Sequence, residues 1–202
     1  MAGQFQVAGC PSHYTTYDDM RNADTHISSP TDTDQPLLMR PAVADFVTVA
    51  AELCKHLETP VGANEAARWS DVMRPLLAML YVRASLLPAV EEMPGYNEEK
   101  VTEDDYEFVR CRIAALLGTN DEFLDVFVED FKYSDAPVFC TISENLADIY
   151  QALRNFVEVV RGGHEEALRV ALYYIKEQFA LSWGQKLLGA LRALHENRYD
   201  TL

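Results

Sequence analysis

Eight large apolar residues near the end of the chain, Leu168, Leu172, Ile175, Phe179, Trp183, Leu187, Leu191 and Leu194, recur at steps of 4, 3, 4, 4, 4, 4 and 3. Their mean spacing, about 3.7, is the repeat of an α-helix, whereas a strand, with its period of 2, cannot line them up. A helix of roughly 30 residues reaches about 45 Å, so the rest of the fold has to be laid along it. Gly184 and Gly189 are the positions at which it is expected to bend. A second line, Ala167, Tyr174, Leu181, Leu188 and His195, recurs every seven residues on the other side of the same helix. A helix apolar on two sides is buried on two sides. It is therefore either the central helix of a bundle or the contact surface of a homodimer.

The preceding segments are also helical in pattern. Pro41 opens the stripe Val43, Phe46, Val47, Ala50, Leu53, Cys54 and Leu57, which closes near Glu58, before Thr59-Pro60-Val61-Gly62. Trp69, Val72, Met73, Leu76, Leu77, Leu80, Tyr81 and Leu87 mark a second helix running to Pro88. Pro75 stands either in its first turns, with Ser70 or Asp71 as cap, or inside a longer helix that begins near Glu65. Residues 88–101, with two prolines, a glycine and an acidic cluster, read as a loop. Thr102 and Asp105 form a capping box for a helix with Tyr106, Val109, Ile113, Leu116 and Leu117 on one face, ended by Gly118. Residues 121–138 are apolar but aperiodic, which predicts a packed loop with at most a short helical turn. Thr141 and Glu144 form another capping box, and Leu146, Ile149, Tyr150, Leu153, Phe156, Val157 and Val160 then lead to Gly162-Gly163. No segment alternates well enough to demand a strand. The fold expected is all-α, an antiparallel bundle of about five helices with a long C-terminal helix, over residues 41–202. Residues 1–40, with the aperiodic cluster Ser28-Ser29-Pro30-Thr31-Asp32, read as a flexible leader.

Charge narrows the range of partners. The 202 residues carry 17 Lys and Arg against 32 Asp and Glu, a net charge of -15. The first 40 hold two basic and five acidic residues, so -12 of this falls on residues 41–202. Such a field repels phosphate backbones and anionic headgroups, which argues against nucleic acid and membrane surfaces as partners. No apolar run approaches the roughly 18 residues of a membrane span, and no basic patch followed by an apolar core marks the amino terminus for export. The four cysteines, Cys10, Cys54, Cys111 and Cys140, contain no C-x-x-C pair, which fits reduced thiols in the cytoplasm. Cys54, on an apolar helical face, reads as a small hydrophobe.

The motifs of common catalytic sites are absent: H-E-x-x-H, G-x-G-x-x-G, the P-loop, G-x-S-x-G and the E-x-x-H pairs of di-iron bundles. Neither a metal set nor a cofactor box emerges. Three histidines remain in the helical part. Glu52 and His56 at i, i+4 lie opposite the apolar face and read as a solvated pair. His164 suits a helix entrance, and His195, on the second apolar line, reads as a packed core histidine. Glu144, Asp148, Gln151 and Asn155 form a polar strip opposite Leu146, Leu153 and Val157, a position that means solvent for an isolated amphipathic helix. The alternative is a groove against the last helix, with Asp148 paired to Arg192 and with Tyr173, Tyr174 and Trp183 along its wall.

Three segments, Arg68-Trp69-Ser70-Asp71-Val72 leading to Leu80-Tyr81, Ser143-Glu144-Asn145-Leu146-Ala147-Asp148-Ile149-Tyr150-Gln151, and Ser182-Trp183-Gly184-Gln185-Lys186-Leu187 through His195, together resemble an uncharacterised bacterial all-helical family, domain of unknown function 5063, over about residues 41–199. The resemblance implies a small helical cytoplasmic protein and supplies no reaction or cofactor. It draws attention to Asp148, Tyr150, Gln151, Trp183, Gly184, Arg192 and His195, because they lie within the matching segments, and of these Asp148, Tyr150, Gln151, Trp183, Arg192 and His195 are the expected binding residues.

The function expected is a non-enzymatic interaction or adaptor module, acting on a protein partner or as a homodimer through Tyr174, Leu181 and Leu188. One alternative is a small-molecule or metal site between the last two helices, built on Asp148, Gln151, Arg192 and His195. Another, resting only on size, acidity and helicity, is a chaperone-like helical domain.

Overall fold

The computed structural model describes residues 35–92, 94–95, 99–125 and 137–199. Among the described residues six helices dominate: α1 (Pro41–Glu58), α2 (Ala66–Ser85), α3 (Glu103–Leu117), α4 (Ile142–Gly162), α5 (Glu165–Gln178) and α6 (Gly184–Tyr199). Between α5 and α6 the chain makes one π turn, Phe179–Trp183, so both helices and the turn form a single rod. Counted that way the described residues form five helices, as their periodicity predicts. Two short strands, β1 (Glu122–Asp125) and β2 (Val138–Thr141), pair antiparallel with Phe123 opposite Cys140 and Leu124 opposite Phe139.

Local chemistry sets the helix ends. Proline takes the first position of α1, where its missing N–H has no partner to lose. Thr102 Oγ1 accepts the Asp105 N–H at 3.2 Å and the Asp105 carboxylate accepts the Thr102 N–H at 3.1 Å, so α3 opens on the predicted box. Gly118 (φ 57°) and Gly163 (φ 71°) close α3 and α4 at positive φ, Gly163 in the left-handed helical region, where a Cβ would strain the backbone. At the start of α4, Thr141 Oγ1 accepts the Glu144 N–H, and buried Asp121 accepts both the Ser143 N–H (2.7 Å) and its hydroxyl (2.6 Å). Two orphan donors of this helix start are thus satisfied, one of them from 22 residues away.

The middle of the bundle is α4, which packs against α1, α3, α5 and α6. Phe46, Phe156 and Trp183 meet there, with Phe46 5.5 Å from Phe156 and 6.5 Å from Trp183 between ring centres. Each fully buried side chain of this size contributes about 1.5–3 kcal/mol. The rod formed by α5 and α6 lies to one side of α4, with α2 against its α6 half. Its second apolar line is therefore not a second core face: Ala167, Leu181, Leu188 and His195 are exposed and Tyr174 half-buried.

Several expectations are corrected. Residues 121–138 are expected to form a packed loop with at most a short helical turn, yet Glu122–Asp125 pair as a strand with Val138–Thr141, and residues 126–136 lie outside the described residues. Pro75 sits inside α2, preceded by a 3₁₀ turn at Ala63–Glu65, so the longer of the two helices is the one formed. Of the expected leader, residues 1–34, including Cys10, His13 and His26, lie outside the described residues. Ahead of α1, however, Leu37–Met39 already form a 3₁₀ turn whose Leu37 is buried, with its N–H donated to Glu165 at 3.0 Å. Glu52 pairs with Lys55 rather than His56, while His56 stacks on Trp69 at 5.7 Å and sits 3.4 Å from the Trp69 carbonyl.

Candidate functional site

The polar strip of α4 does not face open solvent along its length. Glu144 is exposed, Asp148 and Gln151 are half-buried and Asn155 is buried, because the rod covers the strip beyond its first turn. Two adjoining hollows of about 430 and 370 Å³ run between α4 and the rod and share Asp148, Ser182 and Lys186. The first continues past Gln151 and Asn155 to Tyr174 and Gln178, and the second past Glu144 and Gln185 to Phe139 and Cys140 of the hairpin.

At their junction Asp148 pairs with Lys186 through Oδ2 and accepts the Tyr106 hydroxyl through Oδ1 at 3.0 Å. Burial, then the neighbouring Asp148 charge, pushes the Tyr106 pKa well above the usual phenol range and keeps the hydroxyl a donor. The expected Asp148–Arg192 pair is absent. Arg192 lies six residues, about one and two-thirds turns, beyond Lys186 and turns to the hairpin, where it binds Asp125 at 3.2 Å and the Leu124 carbonyl at 2.7 Å. Asn155 is also committed: its Oδ1 accepts the Lys100 and Val101 N–H groups at 2.7 and 2.9 Å and pins the α2–α3 connection.

The π turn shapes this groove. The Gly184 N–H donates to the Phe179 carbonyl five residues back, and a Cβ on Gly184 would sit 2.3 Å from that oxygen, so the turn requires glycine there. It presents Ser182 to both hollows and turns Trp183 inward, where the indole N–H donates to the Ile175 carbonyl at 3.1 Å. It also splits the seven-residue line. Tyr174 and Leu181 border the hollows beside α4, whereas Leu188 and His195 border a separate pocket of about 600 Å³ between α2 and α6.

The proposed site residues therefore fall into three places. Asp148, Gln151 and Trp183 meet in the groove. Tyr150 points the other way and donates its hydroxyl to Glu58 at 3.0 Å, within a cluster that includes Arg154. His195 is exposed rather than packed in the core, its ring 4.7 Å from that of Tyr199, and it shares the α2–α6 pocket with Arg192. Sequence reasoning passed over Tyr106, Lys186 and Ser182. Lys186 lies in the segment that carries the resemblance, and its i+4 step from Ser182 was the available signal.

Residues 38–200 match the model of a family described as a domain of unknown function, DUF5063. Protein BF1032 from Bacteroides fragilis, a structural-genomics target with a crystal structure, is similar with 36% identity and a TM-score of 0.69, over 81% of this chain and 96% of that one. No curated protein matches the chain significantly. Among the described residues, no helix is long and apolar enough to cross a membrane.

Proposed function

From the premise that the chain belongs to the DUF5063 family, we propose that it works as a cytoplasmic interaction module, joining another protein or a second copy through the exposed side of its last helix. The observation that carries this reading is the exposure of two leucines along a rod whose other side is mostly packed: Leu181, in the π turn, is 70% exposed, and Leu188, on α6, 46%. Neighbouring Leu124 and Phe139, opposite each other in the hairpin, are 59% and 60% exposed. Grouped uncovered side chains of this size mark surfaces that another molecule covers. A photo-cross-linking residue placed at Leu181 or Leu188 in living cells is expected to give discrete higher-mass adducts that the same residue at Glu103 does not. Adducts at none of these positions would overturn the reading.

One observation favours a second reading. Two of the segments that carry the family resemblance, that around Asp148 and that around Trp183 and Lys186, meet in the groove beside a π turn, a distortion frequent at functional sites. On this reading the groove takes a small polar molecule whose hydrogen bonds replace water on Asp148, Gln151, Ser182 and Lys186. A thermal-shift screen of metals and metabolites should then raise the melting temperature of the wild type and not of Asp148→Ala. A screen that moves neither protein counts against it.

A further inference from the structure

On the reading of the chain as an interaction module, we infer that an exposed seam on α2, together with the pocket where it meets α6, docks a partner's amphipathic helix whose flanks carry carboxylates. Val72, Pro75, Met79, Val82 and Leu86 follow at steps of 3, 4, 3 and 4, the a/d repeat of a two-helix contact, and all five are exposed. They lie opposite the side of α2 that buries Trp69, Met73, Leu77, Leu80 and Ala84. The seam extends about 21 Å along the helix, too long for a small apolar acid and the right length for four turns of helix.

The chemistry of its end specifies the charge. The pocket there has an apolar floor, with Leu188 and Leu191 facing Pro75 and Ala78. Its wall carries Arg74, Arg192 and His195 and no carboxylate, while from outside the lining Asp71 pairs with Arg74, and Asp125 and Glu196 with Arg192. The Arg74 guanidinium lies 5.3 Å over the Tyr199 ring and shares the Asp71 carboxylate with Arg198. Its Nη1 is buried and has no acceptor among the described residues. Nη2 is held by Asp71, but a buried guanidinium N–H without an acceptor carries a desolvation cost that a carboxylate reaching it would relieve.

Two 21-residue fluorescent peptides test this against the full chain, read by anisotropy in physiological salt. Both carry leucine at a and d and alanine at b, c and f; one has glutamate at e and g, the other lysine. The glutamate peptide should bind at least tenfold more tightly, against the attraction that the acidic chain exerts on the lysine one. Met79→Glu should weaken it tenfold or more without moving the melting temperature, and Arg74→Gln several-fold while narrowing the gap between the peptides. Equal binding of both, lost in Met79→Glu, would overturn the acidic partner and leave the interaction module standing. Binding of neither peptide would overturn the docking seam, with cross-linking at Leu181 and Leu188 still deciding the wider reading. A dimer by light scattering that Met79→Glu dissolves would assign the seam to a second copy and overturn the proposal.

Discussion

The two flanks of the last helix treat their polar groups in opposite ways. Towards α4, polar groups are matched within the chain: Asp148 holds Lys186 and Tyr106, Asn145 donates to the Lys186 carbonyl at 3.3 Å, and Asn155 fastens a loop. Towards α2, Arg74 is paired with Asp71 through Nη2, but its buried Nη1 has no acceptor among the described residues, and five apolar side chains stand uncovered. Internally saturated polar groups stabilise the fold, whereas unmatched ones lower its stability until something else supplies the match. The first flank therefore holds the bundle together, and the second has the composition of a surface completed from outside.

Substitutions on the saturated side should cost stability and those on the other side should not. The largest loss is expected for Asp121→Ala, which strips the buried start of α4 of its acceptor and should cost about 2–3 kcal/mol in urea unfolding. Gly184→Ala forces its Cβ onto the Phe179 carbonyl, and about 1–3 kcal/mol is expected, as for overpacked sites. Asp148→Ala should cost less, about 1 kcal/mol, because Lys186 keeps 39% of its side-chain surface in water. Asp148→Asn should recover the part owed to Tyr106. On the other flank, Met79→Glu should change stability by under about 0.5 kcal/mol, since the side chain is already 48% exposed. A large loss there would break the contrast.

The smallest effect expected is on pH dependence. Burial lowers the pKa of His56, with the nearby Trp69 carbonyl opposing that shift only in part. The unfolded chain then binds a proton that the folded one refuses, so stability should fall as pH drops below about 6.5 and level off once the folded histidine also protonates. His56→Gln should flatten that part of the curve. An unchanged profile would show that the ring against Trp69 is not desolvated.

How much of this was legible in the sequence depended on whether a feature is local. Pro41, the Thr102–Asp105 box and the glycines at 118 and 163 act within one turn, and the helices begin and end where those residues imply. The sequence singles out Asp148 but points to Arg192 instead of Lys186 as its partner, because a pairing across helices depends on rotation about the rod. The spacing does contain a clue. Four successive steps of four from Ile175 to Leu191 drift by about 160° on a regular α-helix, and only an inserted residue keeps them on one face. The hairpin escaped because Leu124 and Phe139 point outward in strands only four residues long, too short to show alternation. The α2 seam escaped because its apolar residues merge with the buried stripe of the same helix.

The π turn also bears on how the molecule moves. At Phe179–Trp183 the rod gives up the regular ladder of α-helical hydrogen bonds in the middle of its length. Its two halves are anchored separately, α5 beside α4 and α6 between α4 and α2. Amide hydrogens of the turn should therefore exchange with solvent ahead of those in either half, making it the joint at which one end of the rod can loosen while the other stays packed.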